Sequence, residues 1–166
     1  MPKFQQRDFY FGAALSLLFR YNNDSRPSLI ESIDNTTQVM RMQTDTSKEF
    51  YVYMKYTTSC KYTKKENLNS WSFQISEKDK TAIKEIKDSG FPLYLFFICG
   101  MDEEMKTGEI AIITGSEYDK ISHKNSLTIN TLGLKPRNFD IHYGKAHMDT
   151  FPVERNRIEN KLTDLK

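Results

Sequence analysis

The sequence reads as an α+β protein. It predicts one domain on a mixed or antiparallel sheet, with a buried N-terminal helix, a mid-chain helix and a C-terminal helix. Three observations lead there. Alternating polar and apolar segments, the mark of half-buried strands, recur between residues 28 and 75. A capped amphipathic stretch then runs into Leu93-Tyr94-Leu95-Phe96-Phe97-Ile98-Cys99, a continuous apolar run of the kind found in interior strands. The length of 166 residues suits one domain, and no repeat, low-complexity tract or long linker divides it.

Asp8 is placed to cap a helix running to about Tyr21, with Phe11, Leu15, Leu18 and Phe19 on one face. Ala13, Ala14 and Ser16 keep its other faces small, so the helix is expected at the centre of the core. A turn-rich stretch over 22–27 ends it, and extended segments follow over 28–33, 37–44 and 50–58. The polar loop 45–49 joins the last two as an antiparallel hairpin. In the third segment Phe50, Val52, Met54 and Tyr56 point one way, and Tyr51, Tyr53, Lys55 and Thr57 the other. A lysine-rich loop over 60–70 leads to a strand over 71–75. Ser76 and Asp79 then form a capping signature for a helix that buries Ala82, Ile83 and Ile86 and stops at Gly90. After the interior strand over 91–99, the pattern predicts a strand over 109–114, a short helix from Ser116 and a strand over 127–129. A closing hairpin over 138–150 and a terminal helix over 153–165, carrying Ile158, Leu162 and Leu165, complete the chain.

Composition excludes several classes. With 38% hydrophobic and 28% charged residues, the chain is neither a disordered tail nor a fibrous repeat. The 24 basic and 22 acidic side chains leave a net charge of +2, which argues against a DNA-mimicking inhibitor. Cys60 and Cys99 are too few for a disulfide framework and lack zinc-like spacing. Residues 9–19 are almost wholly apolar behind Lys3 and Arg7, but Asp8 borders the run and no small-residue cleavage site follows. The run is also shorter than the roughly 20 residues a bilayer requires. A cytoplasmic protein without membrane contact is expected. Neither a phosphate-cradling glycine loop nor an HExxH or GxSxG motif is present.

The order helix, three strands, helix, strand, together with Phe50-Tyr51-Val52-Tyr53-Met54-Lys55-Tyr56-Thr57, resembles the core of the PD-(D/E)XK nuclease superfamily over residues 8–100; residues 108–166 would be additions. That resemblance implies a lysine late on the third strand, a carboxylate two residues earlier, and an aspartate from the strand before. Together these would hold Mg²⁺ or another divalent cation and activate water. Lys55 fits the lysine position, but Tyr53 stands where the carboxylate would be. Asp45 is excluded by hairpin geometry, which sets it roughly 17 Å from Lys55 along the strand. The reachable carboxylates are Asp34 and Glu31, and residues near Gln38 and Val39 should lie opposite Lys55.

Two further clusters carry chemistry. Lys61, Tyr62, Lys64 and Lys65, close after Tyr51 and Tyr53, suit phosphates and unpaired bases. In the closing hairpin, a Gly144-Lys145 turn would pair His142 with His147 and Asp140 with Asp149, placing four metal-ligand side chains on one face. The basic residues Lys135, Arg137, Lys145, Arg155 and Arg157 read as a solvated mixed-charge region, because Glu154, Glu159 and Asp164 interrupt them. The function expected is nucleic-acid binding by a degraded nuclease-like core, in the manner of a phage or mobile-element accessory factor. The alternative is a protein-binding inhibitor or immunity-type module anchored by exposed tyrosines.

Overall fold

The computed structural model describes residues 2–101, 107–132, 137–146 and 148–165. Among these, ten strands form two five-stranded sheets and three helices accompany them. The first helix, α1 (Gln6–Tyr21), leads into β1 (Ser25–Ser32), β2 (Thr37–Thr44) and β3 (Glu49–Thr57), an antiparallel meander. The chain then leaves this sheet for the hairpin β4 (Cys60–Thr63) and β5 (Leu68–Gln74). It returns through α2 (Glu77–Asp88) to β6 (Leu93–Gly100), which lies parallel to β3 and antiparallel to β7 (Gly108–Thr114). After the single turn α3 (Gly115–Tyr118), strands β8 (Ser126–Leu132), β9 (Asn138–His142) and β10 (Thr150–Glu154) complete the second sheet. The strand orders are β1-β2-β3-β6-β7 and β10-β9-β8-β5-β4.

Alternation explains the layering. On β3, Phe50, Val52 and Met54 face α1 with Met40, Met42, Phe96 and Ile112. The opposite face, bearing Tyr53, Leu95, Phe97 and Ile113, packs against α2 and the inner face of the second sheet. There Trp71, Phe73, Ile129, Ile141 and Val153 meet it. With both faces covered, every residue of β6 is buried, as its unbroken apolar sequence predicts.

Four expectations need correction. The 60–70 segment is not a loop: Cys60–Thr63 pairs with Leu68–Trp71, too short and polar a strand to stand out in the sequence. Asp8 sits in the first turn of α1 rather than at its cap, accepting a 2.8 Å bond from the Gln5 N–H. Nor is α1 central. It flanks the first sheet and leaves Phe9, Gly12, Ala13 and Ser16 exposed. Finally, the terminal helix is replaced by β10 and two 3₁₀ turns, Arg157–Glu159 and Leu162–Asp164. The spacing of Ile158, Leu162 and Leu165 mimics a helix, but these side chains instead pack on the α1 side of the sheet. No helix among the described residues is long and apolar enough to cross a membrane.

Candidate functional site

Lys55 sits opposite Thr37 on β2 and Phe97 on β6, one residue from the register expected. Its face is roofed rather than open, and the residue is only 6% exposed. The ammonium group is satisfied by three neighbours. It donates to Thr37 Oγ1 at 2.9 Å and to Asp79 Oδ2 at 2.9 Å, and Asp34 Oδ2 lies 3.9 Å away. Asp79 is wholly buried at the first turn of α2. The same Oδ2 accepts from the Ser76 N–H at 2.8 Å and the Ser76 hydroxyl at 2.9 Å. One carboxylate therefore caps a helix and neutralises a buried lysine.

Asp34 comes from the turn between β1 and β2, where its Oδ1 accepts from the Thr36 N–H at 2.7 Å and the Thr36 hydroxyl at 3.0 Å. Partial burial works to raise its pKa, but the Thr36 bonds and the Lys55 charge outweigh it and hold the carboxyl below its usual value. A depressed carboxyl stabilises the fold above its unfolded pKa of about 4 and loses that contribution as pH falls through the folded value. Asp34→Asn is thus expected to lose less stability than the parent between pH 6 and pH 2. Urea denaturation across that range reads the difference, which solvent screening keeps small. Equal losses in the two proteins would remove Asp34 from the network.

Tyr53 also enters the cluster. Its buried phenol adjoins Asp79 and Thr37, and its pKa is driven well upward, first by burial and then by the Asp79 charge. It stays protonated and does not replace the missing carboxylate. Asp79 Oδ1 and Tyr53 Oη are both buried without a hydrogen-bond partner among the described residues. The donor set does not fit a divalent cation: Lys55 Nζ occupies the space between the two carboxylates, and Asp79 Oδ2 already serves three donors. No group of three or more metal-ligating side chains occurs among the described residues.

The structure brings Lys55 and Asp34 together. Glu31 is not part of this group: it pairs with Val39, is exposed, and points toward α2. Asp45 lies at the far end of the strands, where it accepts from Arg26 at 3.1 Å. Of the residues assigned to nucleic acid, Tyr53 is buried and unavailable to a base, because α2 and the second sheet cover that face of β3. Tyr51 is half-buried beside Phe91, with ring centroids 5.9 Å apart. Lys61, Lys64, Lys65 and Tyr62, the last 59% exposed, are all accessible on the β4–β5 hairpin. The tyrosine hydroxyl lies 3.3 Å from Asn67 Oδ1.

The closing hairpin takes a different register. His142 pairs with Thr150 and Asp140 with Pro152, so Asp149 falls in the connecting loop instead of facing Asp140. That loop is closed by bonds from the Tyr143 N–H to the Asp149 carbonyl and from the Asp149 N–H to the Ala146 carbonyl, both 3.0 Å. A two-residue Gly144-Lys145 turn is therefore not formed. His147 lies outside the described residues.

Sequence reasoning missed Asp79 as a partner of Lys55. Its capping spacing was legible and is realised, yet an ion pair spanning 24 residues leaves no local signal. No family model, curated protein or solved structure matches the chain.

Proposed function

We propose that this is a nucleic-acid-binding protein with a degraded nuclease-like core, which holds nucleic acid without cutting it. The observation that carries the reading is the approach of Asp34 to within 3.9 Å of Lys55. An aspartate ahead of the second strand meets a lysine late on the third, close to the arrangement the nuclease resemblance implies. Within the first sheet and its helices the order α1, β1, β2, β3, α2, β6, interrupted by the β4–β5 hairpin of the second sheet, with β6 parallel to β3, supports it further. Degradation is read from the chemistry of the cluster. Tyr53 supplies no carboxylate, and Lys55 is bound to Asp79 beneath α2 rather than presented to water.

The contact surface in this reading is the β4–β5 hairpin, which begins three residues after β3 ends. Lys61, Lys64 and Lys65 would neutralise phosphates while Tyr62 stacks on an unpaired base. The protein-binding alternative loses much of its basis, because Tyr53 is buried and Tyr51 half-buried. Replacing Lys61, Lys64 and Lys65 together by alanine tests the surface. Each phosphate contact adds about 0.7 to 0.9 to the slope of log affinity against log salt, so the triple variant should lose about 2 to 3 from that slope. Fluorescence anisotropy with labelled single- and double-stranded DNA and RNA measures it. An unchanged slope would show that the hairpin is not the contact surface.

A further inference from the structure

We infer that the free edge of the first sheet is a docking site for an extended peptide carrying alternating apolar and basic side chains, independent of any nucleic-acid surface. Strand β1 ends the order β1-β2-β3-β6-β7, and no described strand pairs with its outer side. Seven of its eight residues are exposed, among them Leu29 at 54% and Ile30 at 50%. An unpaired edge of this kind offers backbone donors and acceptors to an added strand.

The edge is not uniformly open. Pro27 lacks an N–H, and a register shift between Pro27 and Leu29 interrupts the ladder to β2. Both features blunt an edge against indiscriminate pairing. Leu29-Ile30-Glu31-Ser32 stays regular and available, long enough for a short peptide to align.

Beside this segment runs a groove of about 590 Å³ between β1 and α2. Leu29, Ile33, Val39 and Tyr51 form its apolar floor, and Ala82 and Ile86 its helical wall. A strand added to β1 would direct one set of its side chains into the groove and the other to the opposite face, since β-strand side chains alternate between faces. Basic residues of the first set lay their methylene stems along the apolar floor and carry their charges to the rim, while the other, apolar set lies beside the exposed Ile30. The rim selects the charge of the occupant. Glu31, Glu77 and Glu85 line the groove against a single cation, Lys78. Glu77 is paired with Lys80 at 3.4 Å, whereas Glu31 and Glu85 have no ion-pair partner among the described residues. Lysine or arginine side chains complement that rim, and phosphates are repelled by it.

The test uses the full isotope-labelled chain and a six-residue peptide of alternating valine and lysine, read by amide chemical shifts and by protection of β1 amides from exchange. Shifts confined to Leu29, Ile30, Glu31, Ser32 and the groove face of α2 are expected. The double charge reversal Glu31→Lys with Glu85→Lys, both at exposed positions, should weaken the peptide roughly tenfold or more. A valine–glutamate peptide should bind far more weakly. Absence of binding, shifts elsewhere, or indifference to the charge reversal would overturn the inference. So would concentration-dependent self-association through β1, which would make a second copy the occupant.

Discussion

Replacing Lys55 with methionine should destabilise the protein by about 3–5 kcal/mol, the usual cost of leaving one member of a buried ion pair without its partner. The side-chain volume is nearly preserved, so the loss isolates the charge. Asp79 is wholly buried, and without Lys55 its carboxylate would retain only the Ser76 donors. Adding Asp79→Asn to Lys55→Met should restore much of the loss, because an amide leaves no buried charge uncompensated. A double-mutant cycle in urea then gives a coupling energy well above the values typical of exposed pairs. A loss under about 1 kcal/mol for Lys55→Met would mean that Lys55 is a solvated lysine and that the roof over it is not fixed.

Trp71→Ala should cost a similar amount, about 3–5 kcal/mol. Trp71 is fully buried on β5, and its indole N–H donates to the Gly100 carbonyl on β6 at 2.8 Å. It therefore joins the two sheets by packing and by a hydrogen bond at once. Trp71→Phe separates these contributions. It keeps much of the apolar contact but leaves the Gly100 carbonyl without that donor, and should cost less than alanine, about 1–3 kcal/mol. Equal losses for the two variants would show that the bond, not the ring volume, dominates.

Local patterns carried much of the fold. The limits of β2, the alternation of β3, the Ser76–Asp79 cap and the buried run of β6 were all legible, because each is written within a dozen consecutive residues. What covers a face was not. The Tyr51, Tyr53 and Lys55 side of β3 looks like a basic aromatic surface in sequence, yet α2 and the second sheet lie over Tyr53 and Lys55. The same long-range packing hid the Lys55–Asp79 pair and left Glu31 apart from it. The register of β9 against β10 also escaped. A two-residue turn would put Phe151 and Val153 on the face opposite Phe139 and Ile141, whereas the observed seven-residue connection pairs them. That connection is hidden in the sequence because the spacing of Ile158, Leu162 and Leu165 mimics a helix from Val153 onward.

In the proposed function, the Asp34–Lys55 core belongs to a protein that holds nucleic acid and no longer cuts it. The most direct measurement is a low-salt titration with labelled single- and double-stranded DNA and RNA, repeated with Mg²⁺ and Mn²⁺ and read on a gel. The expected result is binding that weakens steeply with salt while the nucleic acid stays intact with either metal. Absence of binding to all four would contradict the claim, and metal-dependent cutting abolished by Asp34→Asn would show that the core is not degraded.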